Sequence, residues 1–212
     1  MRKVIVIALT IILCVYLSAS PGGRTVRSNA PETMPDVPSQ GPLVAKPRSG
    51  SKRWMISGTR TIGPTGDYAS VGAAIADIQT QGLDGALILE LLPTYASGVE
   101  TFPLNFTNLT GISSTNTLTL RPQVGATNLS ISGNNATAIV NLENAQFVTF
   151  DGRPGGAGTA KELTIENSST AGATIRFINE ASNNTIRHTA IKGATTAQIN
   201  GVVFFSTTTG EN

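Results

Sequence analysis

The sequence has few aromatic or charged residues, and its one cysteine lies near the N-terminus. Aromatic residues make up 5% and charged residues 13% of the 212 residues, and Cys14 lies in an apolar segment that we predict is removed on export. A chain that loses Cys14 has no thiol for a disulfide, a thiolate metal site or a cysteine nucleophile. We therefore expect the folded part to be stabilised by burial and hydrogen bonding alone.

Charge is unevenly distributed along the chain. The formal net charge is +2, but residues 21–53 hold six basic and two acidic residues, whereas residues 54–212 hold seven basic and eleven acidic residues. The part that we expect to fold is therefore mildly acidic. It lacks the basic face interleaved with aromatics that is typical of nucleic-acid-binding proteins, so we expect no nucleic-acid partner.

What is abundant indicates β-structure. Apolar residues reach 40%, which is too many for a disordered chain, and they recur in short clusters separated by turn residues, including 22 glycines. Thr, Ser and Asn are frequent in the second half. This composition is typical of an all-β chain with many turns.

Residues 1–20 predict a secretory signal peptide. Arg2 and Lys3 precede an uncharged apolar run over residues 4–17, and small residues follow at 18–20. The alternative, a transmembrane anchor, needs about 20 apolar residues. A lipoprotein signal at Cys14 is rejected because the bulky Leu13 precedes it. We predict a secreted or cell-surface protein that is not held in the membrane after signal cleavage.

Residues 21–53 predict a disordered, Pro-rich linker. Six prolines recur in this segment, and its apolar residues follow neither the helical nor the strand period. Its positive charge fits a solvated spacer better than an arm that binds an anionic surface. The folded part is expected to span residues 54–212.

The first elements of the folded part are a strand, a short helix and a second strand. Residues 55–62 read as a strand. Ser70 can cap a helix over 70–81 whose apolar residues recur at helical spacing, and Gly82 suits its end. The apolar run over 86–92 predicts a strand buried on both sides. The helix is too short to stand alone, so we expect it to cover an open sheet edge.

From Asn116 onward, short strands in which apolar and polar residues alternate are separated by turns rich in Gly, Asn, Ser and Asp. Similar strand endings recur at 131–133, 150–152, 165–167 and 191–193, and their spacing indicates a period near twenty residues with two or three strands each. Such a period is typical of a β-solenoid. An immunoglobulin-like sandwich is the alternative, since it also has many short strands. The strands are predicted at residues 118–120, 129–131, 138–142, 147–150, 163–165, 174–178, 186–191 and 202–205.

The opening of the folded part resembles that of pectin lyase-like proteins, in particular pectin methylesterases. The resemblance lies in Gly66-Asp67-Tyr68, the Ala74-Ile75 pair and Thr94-Tyr95, although Pro93 stands where the family usually has Gly. Residues 183–193 resemble the repeat of large bacterial surface proteins of the same superfamily. The resemblance implies an all-β, right-handed parallel β-helix with a short N-terminal capping helix. Because the sequence ends at Asn212, just after a predicted strand and without a closing element, we expect this β-helix to be truncated at its C-terminal end. The last strand should therefore present an uncapped, apolar end.

No residue of this chain is predicted to be catalytic, to bind a cofactor or to bind a metal. Asp151 with Arg153 can contact a sugar, but an Asp-Gly turn bonding its own backbone is favoured. His188 has no plausible partner and is expected on a solvated face. Arg187 and Lys192, predicted on one strand, can pair with an acidic sugar, but solvated charge is favoured.

Six asparagines begin Asn-x-Ser/Thr triplets, which are glycosylation acceptors in exported eukaryotic proteins. In a solenoid rich in Asn and Thr such triplets arise by composition, and stacked asparagines can bond to one another between coils. We favour this second interpretation. The residues are Asn105, Asn108, Asn128, Asn135, Asn167 and Asn183.

Two hypotheses of function follow. The first is a non-catalytic, exported β-helix that serves as an elongated scaffold or as an adhesive surface for a polysaccharide or cell-surface glycan. The second is the N-terminal part of a polysaccharide lyase or pectinesterase-like enzyme whose catalytic residues lie further along a longer protein. The fold carries either activity.

Overall fold

The structure is a computed structural model, and it describes residues 55–197 and 201–206. The predicted signal peptide (1–20) and linker (21–53) lie outside the described residues.

One α-helix and twelve β-strands make up the described part of the chain, together with short 3-10 turns at Ser97–Val99 and Pro154–Gly156. No described helix is long and apolar enough to cross a membrane. The elements are β1 (Ile56–Ile62), α1 (Val71–Gln81), β2 (Leu83–Leu91), β3 (Leu104–Phe106), β4 (Leu118–Pro122), β5 (Leu129–Gly133), β6 (Ala138–Glu143), β7 (Val148–Asp151), β8 (Leu163–Asn167), β9 (Ala173–Ile178), β10 (Thr185–Arg187), β11 (Thr189–Gly193) and β12 (Val203–Phe205).

Helix α1 begins and ends where the sequence predicts. The Ser70 hydroxyl oxygen accepts a hydrogen bond from the Ala73 backbone N–H at 3.0 Å. Gly82 ends the helix at a φ of +81°, where glycine is favoured, and its N–H donates to the Ile78 carbonyl. The predicted apolar stripe is buried and consists of Val71, Ala74, Ile75 and Ile78.

Helix α1 covers a strand edge, as expected. Gln79 Nε2 donates to the backbone carbonyls of Thr107 at 2.9 Å and Asn105 at 3.4 Å, and β3 is the edge strand of its sheet. At the other end of α1, the Glu100 carboxylate accepts hydrogen bonds from the first two helical N–H groups at 2.7 and 3.0 Å. A carboxylate is favoured there because the N-terminus of a helix carries partial positive charge.

Every strand pairing in the described residues is parallel, and the strands form three sheets. Sheet 1 has the order β1-β2-β4-β7-β10, sheet 2 has β5-β8-β11, and sheet 3 has β3-β6-β9-β12. An immunoglobulin-like sandwich consists of antiparallel sheets. That alternative is therefore wrong.

Successive strands lie in the three sheets in turn. The sets β4–β6, β7–β9 and β10–β12 each contribute one strand to each of the three sheets. Strands β2 and β3 form a further set, with one strand in sheet 1 and one in sheet 3. We call each set a layer. Because strands pair only with equivalent strands of neighbouring layers, the backbone groups of one layer are satisfied by the next.

The predicted period near twenty residues is wrong. Equivalent residues of neighbouring layers are 26 to 36 residues apart, as in Leu163 with Thr189 and Leu104 with Val140. Three of the four repeated strand endings, 131–133, 165–167 and 191–193, are in register in sheet 2. The fourth, 150–152, lies at the end of β7 in sheet 1. Counting this ending with the other three divides one layer into two, so the period appears shorter than it is.

The core is a column of apolar side chains at equivalent positions of successive layers. Leu89, Leu120 and Phe150 are in register in sheet 1, and Ile131 and Ile165 are in register in sheet 2. All five are fully buried. Since side chains alternate between the faces of a strand, the residue after each one lies on the outer face.

Three details of the strand prediction differ from the structure. Only one face of β2 is buried, because Ile88 and Glu90 are partly exposed. The predicted strand over 186–191 is two strands in different sheets, separated at His188, whose φ is +49°. Strand β3 was missed because three residues are too few to show an alternation.

The last described strand presents an apolar end, as predicted. Val203 and Phe205 pair with the core positions Ile175 and Phe177, yet they are 37% and 63% exposed. Phe205 stacks on Phe177 with 4.7 Å between ring centroids. Within the described residues no strand pairs with the outer edge of β12.

We expect Leu120→Ala to lower the free energy of unfolding by about 2–5 kcal/mol, because it opens a cavity between neighbouring layers. Val124→Ala is the matched control, since Val124 follows the same strand but is 75% exposed, and it should change stability by less than about 0.5 kcal/mol. Urea unfolding followed by circular dichroism measures both. Equal losses in the two variants would contradict the assignment of the core.

Candidate functional site

Charged side chains form a row on the outer face of sheet 1. Glu90 and Arg121 are paired in register, as are Asp151 and Arg187. Arg121 binds Glu90 through Nε at 3.0 Å and a terminal guanidinium nitrogen at 2.7 Å. We call Glu90, Arg121, Asp151, Arg187 and the adjoining Arg153 the charged row.

Asp151 is the centre of the charged row and is completely buried. Its Oδ1 accepts from the backbone N–H of Arg153 at 3.1 Å and from Arg153 Nε at 2.9 Å, and its Oδ2 accepts from the guanidinium groups of Arg153 at 2.7 Å and Arg187 at 2.9 Å. Burial raises the pKa of Asp151 and is the largest single effect. The hydrogen bonds from Arg153 and the charges of both arginines together outweigh it and lower the pKa to about 2.

The charged row is internally satisfied rather than open to a ligand. The loop after β7 folds back over the outer face of sheet 1, so that Gly156 lies against the guanidinium of Arg121 and Gly155 against Val124. The predicted Asp151–Arg153 pair does form, together with the favoured turn bond to the backbone of Arg153. A buried carboxylate held by two guanidinium groups has no exposed surface on which to contact a sugar.

The structure separates the other charged residues that the sequence singles out. Arg187 binds Asp151 in sheet 1, whereas Lys192 is exposed on β11 in sheet 2, so the prediction that both lie on one strand is wrong. His188 lies between them and is partly exposed. The backbone carbonyl of His188 lies close to Gly152. A Cβ atom at residue 152 would be 1.8 Å from the His188 carbonyl oxygen, which explains why residue 152 is a glycine.

A second row of polar side chains crosses the outer face of sheet 3. Asn105, Asn141 and Arg176 occupy equivalent positions of β3, β6 and β9. Asn141 Nδ2 donates to Asn105 Oδ1 at 3.1 Å, and Arg176 Nε donates to Asn141 Oδ1 at 2.9 Å. We call these three residues the amide row. They confirm that stacked asparagines bond between layers.

An asparagine also recurs at the corners where β3, β6 and β9 of sheet 3 end. Asn108, Asn144 and Asn179 have φ values of +50°, +50° and +53°, a left-handed conformation that asparagine tolerates better than most residues. Each lies four residues after the in-register position of its strand, at Leu104, Val140 or Ile175. The three corners therefore stack above one another.

The corner asparagines line an open groove of about 420 Å³ beside the amide row. Two carboxylates also lie in it, those of Glu143 and Glu180. Glu143 accepts from Asn179 Nδ2 at 2.9 Å and from Asn141 Nδ2 at 3.4 Å, which joins the groove to the amide row. The amide groove, as we call it, is lined by Thr107, Asn108, Glu143, Asn144, Asn179 and Glu180.

The amide groove offers hydrogen-bonding groups that the protein leaves uncommitted. The side chains of Asn108 and Asn144 are exposed, and in the described residues neither makes a hydrogen bond. Each of these two side-chain amides provides two donors and an acceptor. No group of three or more His, Cys, Asp or Glu among the described residues could hold a metal ion. The groove is thus suited to binding a hydroxyl-rich ligand.

A sequence signal for the amide groove exists but spans a whole layer. Residues 104–108, 140–144 and 175–179 each read apolar, polar, apolar, any residue, Asn, at spacings of 36 and 35 residues. A search for periods near twenty does not align them. The triplet asparagines Asn105 and Asn108 were singled out, whereas Asn144 and Asn179 were missed.

Among the other triplet asparagines, Asn167 has a structural role. It is buried, and its Nδ2 donates to the carbonyls of Asn135 at 2.9 Å and Ala173 at 2.8 Å. Its Oδ1 accepts from the Asn135 N–H at 3.1 Å. The bonds with Asn135 link neighbouring layers, and the bond to Ala173 lies within one layer. Together they explain the asparagine at this position without glycosylation.

We expect Asp151→Asn to lower the free energy of unfolding at neutral pH by about 1–3 kcal/mol, because it removes the charge from a buried hydrogen-bonded acceptor. The folded-state pKa of Asp151, about 2, lies below the ordinary 3.8, so the carboxylate stabilises the fold above pH 3.8. This contribution is lost as the pH falls toward 2. The gap in stability between wild type and variant should therefore narrow over that range.

The control for this variant is Asp84→Asn, since Asp84 is exposed on β2. It should change stability by less than about 0.5 kcal/mol at neutral pH. Thermal unfolding followed by circular dichroism between pH 7 and pH 2 compares the three proteins. A gap between wild type and Asp151→Asn that stays constant over this range would contradict the assignment.

No protein-family model matches the chain, and neither a curated protein nor a solved structure matches it.

Proposed function

We propose that this chain is exported and that its folded part is a right-handed parallel β-helix of the pectin lyase-like kind, whose outer surface binds glycans as a scaffold or adhesive surface. Three parallel sheets to which successive strands contribute in turn support the β-helix, because such an architecture stacks one layer on the next. The helix that covers the edge of β3 supports the capping role of α1.

The amide groove is the observation that carries the binding proposal. The left-handed corners do not by themselves require an amide, because glycine adopts a positive φ at no steric cost. At Asn108 and Asn144 the amide is exposed and makes no hydrogen bond in the described part of the chain. A side chain that the fold neither buries nor bonds is available to a ligand.

The spacing of the layers suits a polymeric ligand. Neighbouring parallel strands are about 4.8 Å apart, and the corner amides recur in three successive layers. A pyranose ring in an extended polysaccharide has a comparable length, so successive sugars can meet successive layers. Sugar hydroxyls both donate and accept hydrogen bonds, and amides offer the complementary groups.

The double variant Asn108→Gly/Asn144→Gly tests the binding site. It removes two amides and keeps residues that favour the left-handed conformation, so the fold should be retained. We expect at least about fivefold weaker binding to the best polysaccharide of a broad panel, measured by affinity electrophoresis or calorimetry, since each lost bond contributes about 0.5–1.5 kcal/mol.

The matched control for this variant is Asn128→Gly. Asn128 has a φ of +54° and is exposed, but it lies before β5, away from the groove. It should bind as the wild type does. Absence of binding across the panel, or equal weakening in both variants, would overturn the glycan proposal. Release of unsaturated or de-esterified product would instead support the polysaccharide lyase or esterase hypothesis.

Export is tested separately. Leu13→Arg places a charge in the apolar run of the predicted signal peptide and should retain the protein in the cells, because that run must be apolar to direct secretion. Leu43→Arg, in the predicted linker, is the control and should be exported normally. Immunoblotting of cells and medium, with intact mass of the exported chain, gives the readout. A full-length exported chain that still contains Cys14 would contradict a cleaved signal peptide.

A further inference from the structure

We infer that the amide groove selects uncharged glycans and discriminates against uronic-acid polymers. The inference rests on the proposed glycan-binding function and concerns the chemical class of the ligand. It differs from what the resemblance to pectin-active proteins implies, because it derives from the charges that line this groove.

The charges in and beside the groove are predominantly negative. Glu143 and Glu180 line it, and Arg176 is the cation of the adjoining amide row. The Nε of Arg176 is committed to Asn141. Glu180 is exposed and Glu143 partly exposed, so a ligand in the groove meets two carboxylates and one guanidinium.

The rest of the folded part does not make the charge around the groove positive. The seven basic and eleven acidic residues of 54–212 make the folded part acidic. Two of its arginines, Arg153 and Arg187, are held by Asp151, and a third, Arg121, is held by Glu90. Three of the five arginines in the described residues are therefore paired with carboxylates on sheet 1, away from the groove.

Glu143 and Glu180 interact differently with a neutral sugar and with a uronate. Neighbouring hydroxyls of a neutral sugar donate hydrogen bonds to a carboxylate, and charge-assisted bonds are the stronger kind. A uronate carboxylate donates none and is repelled by both glutamates. At an exposed site this repulsion is modest and is screened by salt, so the discrimination should be clear at low ionic strength and weaker at high ionic strength.

Polysaccharide pairs in which one member carries C6 carboxylates and the other is uncharged test the inference on the full exported chain. The pairs are mannan with mannuronan, and fully methyl-esterified galacturonan with galacturonan. We expect the uncharged member of any pair that binds to bind about three- to tenfold more tightly at low salt. Added sodium chloride should narrow the gap.

The double variant Glu143→Gln/Glu180→Gln identifies the groups responsible. It keeps the shape of both side chains and removes their charge, so we expect the preference for the uncharged member to fall to within about twofold. Glu166→Gln, on β8 in sheet 2, is the matched control and should retain the full preference.

The outcomes separate the inference from the proposal beneath it. Tighter binding of the uronates by the wild type, or a preference unchanged in the double variant, would overturn the inference while glycan binding stands. Binding of no member of either pair and of nothing on the broad panel would overturn both.

Discussion

In-register parallel pairing between layers is the constraint on which the rest of this structure depends. Each strand forms its backbone hydrogen bonds with the equivalent strands of the neighbouring layers. The position of a residue in one layer therefore determines which residue of the next layer lies beside it. Because side chains alternate, a slip of one residue would turn every core side chain outward. The fully buried column through Leu89, Leu120 and Phe150 forbids such a slip. The same register that builds the core therefore also builds rows on the outside.

The charged row and the amide groove differ in how many of their polar side chains are hydrogen-bonded within the protein, and therefore in what they can do. In the charged row Asp151 receives hydrogen bonds from Arg153 and Arg187, and the loop after β7 packs over Arg121. That row stabilises the stack. Along the amide row and the amide groove the bonds run between Asn141, Glu143 and their neighbours, whereas the exposed side-chain amides of Asn108 and Asn144 make no hydrogen bond in the described residues. Residues that stabilise a layer and residues that can bind a ligand are thus adjacent without being the same.

Much of the fold was predictable because it depends on local patterns. The cap residue Ser70, the apolar stripe and Gly82 specify α1 within a dozen residues, and most strands show alternation over four or more residues. The period was mispredicted because similar endings occur in different sheets: Ile131-Ser-Gly and Phe150-Asp-Gly look alike, but only the first belongs to the sheet 2 series. Loops of unequal length between strands are invisible to a search for a fixed period.

The candidate site was less predictable because its residues come together only through the register. Asn108 and Asn144 are 36 residues apart, and Glu143 contacts Asn179 from the neighbouring layer. The sequence marks Asp151 with Arg153 as a pair that can contact a sugar, although an Asp-Gly turn is favoured. Burial and two guanidinium groups commit Asp151 to the fold. In a layered protein the residues that bind a ligand are best sought among polar side chains that repeat at the layer spacing and that no neighbouring layer satisfies.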